Sequence, residues 1–257
     1  MIIDTNVYLF RWPFRRLEGD EPARLVAQLR EGKVARARAG NFEGILERDI
    51  AGVNNRLAET CRSTGEAMLI PFGTVNPKLP DWKEDLRRCH EKHKMPGIRL
   101  HPNYHGYKLH DAVFAELLKL AARRGLIVQL ALSMEDPRTQ SPLMPVPVVG
   151  LAPLASVVKS TPGLRLELLN CTSQIGGEEY AAAISSGDVS MDISMVEGVA
   201  GLARLVRQFP LSRVLFGSYY PFYYFESAAL KVQESGLDEA SKNAICEENA
   251  RRLMAVV

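Results

Sequence analysis

Residues 126–132 read Leu-Ile-Val-Gln-Leu-Ala-Leu, an apolar run interrupted by a single glutamine. A second run of this kind, Arg-Val-Leu-Phe-Gly, occupies residues 213–217. Strands with one face in water alternate polar and apolar residues, whereas continuous apolar runs are typical of parallel strands covered on both faces. The two stretches therefore predict buried parallel strands with helices packed against the sheet.

Short apolar runs recur along the whole chain, separated by stretches with helical spacing. We place strand starts near Ile2, Val34, Ala67, Gly97, Leu126, Leu164, Val189 and Arg213, so consecutive starts lie 24 to 38 residues apart. A strand with its crossover helix takes roughly 30 residues. Eight such units predict a single (β/α)8 TIM barrel over residues 1–257. An open doubly wound sheet is the alternative, and the even spacing favours the barrel.

Cap residues indicate where several of the intervening helices begin and end. Asp81 predicts the start of a helix that runs to about Lys94. Asp111 predicts the start of the next helix, which Gly125 ends. Asp238 predicts the start of the last helix.

Composition and charge exclude several classes of function. The chain has 32 basic and 30 acidic residues, a formal net charge of +2. This balance creates no field that would draw the protein to nucleic acid, and no apolar run reaches the ~18–20 residues of a membrane span. The four cysteines have no zinc-binding spacing and indicate a reduced, cytoplasmic protein; they are Cys61, Cys89, Cys171 and Cys246.

Four motifs occur in order along the chain. They are Ile-Ile-Asp-Thr-Asn-Val-Tyr at 2–8, Gly-Ile-Arg-Leu-His-Pro at 97–102, Leu-Phe-Gly-Ser-Tyr-Tyr-Pro-Phe at 215–222 and Asn-Ala-Arg-Arg-Leu at 249–253. Together they resemble the amidohydrolase superfamily, specifically its amidohydrolase-related (amidohydrolase 2) group of metal-dependent hydrolases. The resemblance implies a TIM barrel whose zinc or other divalent metal activates water at the carboxyl ends of the strands.

At the positions where the family carries its metal ligands, this chain has other residues. Asn6 and Tyr8 stand in place of the two histidines after the first strand, and Tyr219 in place of the aspartate after the eighth. Ala131 and Asn170 stand where histidines follow strands five and six. Amide and phenol groups are poor replacements, since a phenol must lose a proton with an ordinary pKa of about 10. We therefore predict that the metal site is vacated and that the protein uses no cofactor.

Other polar residues are expected at the same mouth of the barrel. Arg99 shares the inward parity of its strand, so it either forms a structural ion pair with Asp4 or binds an anionic ligand. His101 is a candidate general base, and His105 and Glu135 are candidate ligand contacts.

Further features of the mouth each have a functional and a structural interpretation. Glu135 and Asp136 are either an acid–base pair or lid residues held by Arg138. Cys171 is either a thiol nucleophile or, more commonly for this residue type, a small buried side chain. The aromatic residues of 219–225 either pack over the barrel or form a stacking wall for a planar ligand.

These observations leave three functions open. The first is an amidohydrolase-like pseudoenzyme that binds a small, anionic molecule through Asn6, Tyr8, His105, Glu135, Asn170 and Tyr219. The second is a working hydrolase or decarboxylase that uses His101 and Arg99 as catalytic residues without the usual metal centre. The third is a structural partner of an active paralogue. We expect no nucleic-acid or membrane partner, and a homo-oligomer is compatible with the sequence.

Overall fold

The computed structural model describes residues 1–65, 67–171 and 177–255. Its parallel strands follow one another in chain order and are Ile2–Leu9 (β1), Val34–Asn41 (β2), Leu69–Thr74 (β3), Gly97–Leu100 (β4), Ile127–Ala131 (β5), Arg165–Leu169 (β6), Asp188–Asp192 (β7) and Val214–Leu215 (β8). The chain beyond β8 returns to β1, where Tyr8 N donates to Tyr220 O at 2.9 Å and Tyr219 N donates to Asn6 O at 2.8 Å. The predicted (β/α)8 barrel is confirmed, and each strand begins within two residues of its predicted start.

Helices lie between successive strands. They are Pro22–Glu31 (α1), Ile50–Ser63 (α2), Trp82–Glu91 (α3), Pro102–His105 (α4), Ala112–Arg123 (α5), Leu154–Lys159 (α6), Glu178–Ser185 (α7), Gly201–Gln208 (α8), Phe225–Gln233 (α9), Glu239–Asn243 (α10) and Asn249–Ala255 (α11). Short 3-10 helices cover Phe42–Ile45 and Leu211–Arg213, and a π-helical turn covers Ala244–Glu248. Within the described ranges, no helix has both the length and the apolar character needed to cross a bilayer.

Two of the predicted helix ends are formed by the expected contacts. The Asp238 side chain accepts a hydrogen bond from Ser241 N at 2.8 Å, as an N-cap residue should. Gly125 has a φ of +64°, and its N–H donates to Ala122 O at 2.9 Å. A left-handed glycine therefore closes α5, because only a residue without a Cβ adopts this conformation at little cost.

The other two predicted caps precede helices without capping them. Asp81 has a φ of −92° and a ψ of 13°, outside the extended region that an N-cap needs, and α3 ends at Glu91 instead of Lys94. The Asp111 carboxylate accepts from Lys108 N at 3.0 Å, so it is turned back toward the preceding loop.

Charged and polar side chains fill the middle of the barrel. Arg38 on β2 forms an ion pair with Glu167 on β6, and both side chains are fully buried. Gln129 on β5 donates to Glu167 at 2.8 Å and accepts from Arg99 Nε on β4 at 2.8 Å. Arg38 also donates to Ala250 O of α11 at 2.8 Å. This buried network connects four strands and the last helix through the barrel interior.

We expect Glu167→Gln to destabilise the protein by about 3–5 kcal/mol, because it leaves the Arg38 charge buried without a counter-ion. Burial, with repulsion from Arg99 and Arg165, already lowers the pKa of Arg38 to about 9. Urea unfolding of the two proteins measures the difference.

The matched control is Glu116→Gln, which breaks the exposed Lys83–Glu116 pair at the surface. Exposed pairs contribute little, so its unfolding midpoint should stay close to that of the unchanged protein. Equal losses of unfolding free energy in the two variants would contradict the expectation that the buried pair contributes more to stability than the exposed pair.

Candidate functional site

Aromatic and sulfur-containing side chains fill the carboxyl-terminal mouth of the barrel. We call them the mouth cluster, which consists of Tyr8, Trp12, Phe42, Ile45, Ala131, Met134, Met195 and Tyr219, with Phe14, Leu17, Tyr104, Phe222 and Tyr223 packed against it. Tyr8 and Tyr219 are 0% exposed. Tyr8 stacks on Phe42 with ring centroids 4.5 Å apart, and Tyr219 stacks on Phe222 at 4.9 Å. Bulky rings therefore occupy the end of the barrel where (β/α)8 enzymes build their active sites.

Tyr8 connects this cluster to the polar residues beneath it. Its hydroxyl lies 2.9 Å from His101 Nε2, and the Arg99 guanidinium carbon lies 4.3 Å from the centroid of its ring. Burial raises the pKa of Tyr8 to about 12. Burial, with repulsion from His105 and Arg99, lowers the pKa of His101 well below its ordinary value. The pair is thus a neutral phenol against a neutral imidazole at pH 7.

The protein itself occupies the hydrogen-bonding nitrogens of Arg99. Nε donates to Gln129, Nη1 donates to Val7 O at 2.8 Å, and Nη2 donates to Arg38 O at 3.0 Å. The expected Arg99–Asp4 ion pair is wrong for the described structure, in which Asp4 accepts from backbone N–H groups. An irregular register in β1 after Asp4 accompanies this arrangement and lets the Val7 carbonyl serve Arg99. Each nitrogen of Arg99 therefore already has an acceptor within the protein.

An amide and carboxyl network lies beside Arg99. Asn6 Nδ2 donates to Asn170 Oδ1 and to Asp192 Oδ2, both at 2.7 Å. Asp192 Oδ1 accepts from Asn170 N at 3.0 Å and from Ser194 Oγ at 3.1 Å. The structure thus brings Asn6 and Asn170 together, as the shared mouth position predicted. Sequence reasoning missed Asp192, although its place at the end of β7 was a signal that could have found it.

Two buried carboxyl groups in this network retain protons more strongly than usual. Asp4 Oδ1 accepts from the N–H groups of Asn6 and Ser218 at 3.0 Å each, and its Oδ2 has no partner among the described residues. Burial raises the pKa of Asp4 to about 7, and Asp192 adds to the effect. Burial likewise raises the pKa of Asp192 to about 6.

The remaining histidine and the acidic residues after β5 lie at the edge of the mouth. His105 Nε2 lies 2.9 Å from Gly44 O, and burial lowers the pKa of His105 to about 4. The buried Glu135 forms an ion pair with Arg15 rather than with Arg138. Arg138 instead pairs with Asp136 at 2.6 Å, so the two carboxylates have different cationic partners.

Cys171 follows β6 as a small buried residue. Its Sγ lies 3.6 Å from Leu168 O, and burial raises the pKa of the thiol well above its ordinary value. Since only the thiolate is a nucleophile, this environment disfavours thiol catalysis.

The barrel and the composition of its mouth can now be compared with known proteins. A family model described as amidohydrolase (Amidohydro_2) matches residues 19–255. The chain belongs to the amidohydrolase 2 family. Among curated proteins, none matches the sequence.

Solved structures share the whole amidohydrolase barrel with this chain. The 2,6-dihydroxybenzoate decarboxylase from Rhizobium is 14% identical, with a TM-score of 0.75 and coverage of 98% of both chains. A 5-carboxyvanillate decarboxylase from Novosphingobium aromaticivorans is 14% identical, with a TM-score of 0.74 and coverage of 100% of this chain and 97% of the other. A dihydroxybenzoic acid decarboxylase from Polaromonas is 12% identical, with a TM-score of 0.72 and coverage of 98% and 96%. These likenesses concern the fold.

The last two of these relatives were crystallised with bound manganese. The family therefore works with a divalent metal, and the prediction of no cofactor is wrong on that evidence.

A divalent ion of this kind would need several side chains of the mouth as ligands. Manganese is commonly held by oxygen donors, namely carboxylates, carbonyl groups and water. Within residues 1–65, 67–171 and 177–255, no three His, Cys, Asp or Glu side chains come together as a group that could hold a metal. Both oxygens of Asp192 already accept hydrogen bonds, and only Asn6 Oδ1 and Asp4 Oδ2 in this network are buried without a partner among the described residues. The residues present do not fit the ion, so we derive no chemical step through it.

We expect the contribution of Asp4 and Asp192 to the free energy of unfolding to fall as pH rises from about 4 to about 7, whereas the lowered pKa values of His101 and His105 act in the opposite direction. Asp4 and Asp192 have raised pKa values in the fold, so in this window the folded state binds more protons at these two groups than the unfolded state. Their contribution is therefore fully present below the ordinary aspartate pKa and is lost as pH rises through about 6 and about 7.

Asp4→Asn should remove the Asp4 part of this pH dependence, so that stability falls less, or rises more, with pH than in the unchanged protein, since the amide keeps the accepting oxygen but cannot ionise. Chemical unfolding at several pH values measures the effect, with Asp111→Asn on the outer surface as the control. An unchanged slope in Asp4→Asn would contradict the expectation.

Proposed function

We propose that this amidohydrolase-family barrel is a non-catalytic member, a pseudoenzyme, whose former active-site mouth has become part of the hydrophobic core. The observation that carries the proposal is the complete burial of Tyr8 and Tyr219 in the mouth cluster. Both residues stand at positions where the family resemblance places metal ligands. A pair of large rings in place of small polar donors closes the space that a substrate would enter.

The groups that would perform chemistry are also engaged with other parts of the protein. His101 is paired with the Tyr8 hydroxyl, and Arg99 donates to backbone carbonyls and Gln129. Cys171 is held as a thiol by burial. Each of these residues has a structural partner in the fold, which supports a packing role for the mouth.

The similar structures give the class of substrate against which the proposal is best tested. They are decarboxylases of hydroxylated aromatic acids. A planar aromatic acid entering a barrel of this fold meets the carboxyl-terminal mouth. Here the Tyr8–Phe42 and Tyr219–Phe222 stacks fill that region with the protein's own rings.

One observation favours a second function, a decarboxylase or hydrolase based on His101. The Nδ1 atoms of His101 and His105 are buried and have no partner among the described residues, and the two rings lie 5.8 Å apart. Two such imidazoles are suited to contact the hydroxyl groups of a polyhydroxylated ligand.

We expect no release of carbon dioxide from 2,6-dihydroxybenzoate above the buffer blank when the protein is assayed with manganese in the buffer. His101→Gln should behave in the same way as the unchanged chain. Turnover that His101→Gln abolishes, and that the exposed control His110→Gln retains, would establish the second function instead.

The packing of the mouth residues provides a second test of the proposal. We expect Tyr8→Ala and Tyr219→Ala each to lower the free energy of unfolding by about 3–5 kcal/mol, because each leaves a cavity among buried rings. The matched control is Tyr224→Ala, since Tyr224 is 69% exposed and its loss should change stability by at most about 0.5 kcal/mol. Small losses for the two buried tyrosines would mean that the mouth opens easily, and would overturn the proposal.

A further inference from the structure

A pocket lies at the amino-terminal end of the barrel, opposite the mouth. It has a volume of about 630 Å³ and is lined by residues of β1, β2, β3 and α11 and by the first residue of the chain, namely Met1, Ile3, Ala35, Arg36, Arg38, Ile70, Arg251 and Met254. We call it the amino-terminal pocket. Its volume is within the range of small-molecule sites, roughly 300–1,000 Å³.

One part of the pocket wall is apolar. Ile3 belongs to the buried cluster that α11 closes through Ala250 and Leu253. Ile70 and Met254 pack on that cluster while remaining partly exposed. Their exposed carbon atoms form a surface that an apolar chain or ring would cover.

The rest of the wall is cationic, and its charges are not balanced. Arg38 pairs with Glu167, and Arg251 pairs with Glu247 at 2.6 Å. Arg36 makes no hydrogen bond or ion pair with any described residue and is exposed. The Met1 ammonium also lies 3.5 Å from Glu247, so three guanidinium groups and one ammonium share two carboxylates and the wall carries excess positive charge.

Arg38 provides a second, independent indication of a ligand. Its side chain is fully buried, yet its Nε has no acceptor among the described residues. A buried N–H without an acceptor is costly, and each such group in a folded protein calls for an explanation. An acceptor in the pocket that Arg38 lines would supply the missing hydrogen bond.

We propose that the amino-terminal pocket binds an amphipathic organic carboxylate. The carboxylate would accept from Arg36 and from Arg38 Nε, and its apolar body would lie on Ile3, Ile70 and Met254. The negative charge of the carboxylate would offset part of the excess positive charge of the wall. The anionic ligand expected from the sequence would then bind here, because Arg99 at the mouth has its nitrogens occupied by the protein.

Isothermal titration calorimetry with decanoate tests this proposal. We expect decanoate to bind the unchanged protein, and Arg36→Gln to weaken binding about tenfold through loss of a charge-assisted hydrogen bond. Ala35→Phe should abolish binding by filling the pocket, with circular dichroism verifying that the variant is folded. Arg207→Gln, which removes an exposed arginine elsewhere, should leave the affinity unchanged.

Three results would overturn the proposal. They are no binding of decanoate, equal binding by Arg36→Gln and the unchanged chain, and equal binding of decanol, which has no charge. Sulfate that binds as tightly as decanoate and displaces it would show an unspecific anion site and would also overturn it. None of these outcomes bears on the decarboxylation assay, because the pocket and the mouth are at opposite ends of the barrel.

Discussion

The ion pair between Arg38 and Glu167 organises the interior of this barrel. Two charges removed from water are costly unless neighbouring groups also bond to them, and here Gln129 donates to Glu167 while Ala250 O accepts from Arg38. Glu167 orients Gln129, Gln129 accepts from Arg99, and Arg99 lies against the Tyr8 ring. The position of the ring that closes the mouth is therefore set by a sequence of polar contacts that begins deep in the barrel.

Above this interior, neutral hydrogen bonds hold together a site that the family builds around a metal. The amides of Asn6 and Asn170 join Asp192, and both Asp192 oxygens accept hydrogen bonds. Burial then favours the protonated forms of Asp4 and Asp192. The amide hydrogen bonds and the raised carboxyl pKa values together reduce the cost of burying acidic groups at this position.

Most of the fold could be predicted from the sequence. Parallel strands covered on both faces must be apolar throughout, and such apolar runs recur at intervals that match one strand plus one helix. The sequence also identified the mouth residues, since alternation along a strand decides which side chains face inward.

The hydrogen-bond and ion-pair partners of the mouth residues were harder to predict from the sequence. The irregular register of β1 gives Arg99 a backbone carbonyl, and Glu135 takes Arg15 from a distant loop. Such contacts depend on how segments that are distant in the sequence pack together. The filling of the mouth and the pocket at the other end of the barrel depend on the same packing, so no local sequence pattern predicts any of these features.

The mouth cluster also affects the local stability of the loops at this end of the barrel. Proteases cut segments that can unfold locally, and loops around an active site are commonly among the least stable parts of a protein. Here the segments after β1, β2, β5 and β8 each place a ring or a methionine in one shared cluster. Limited digestion should therefore spare the segments after β1, β2 and β8. It should begin around Leu143, in the part of the segment after β5 that lies beyond Met134, where the Leu143 side chain is 94% exposed.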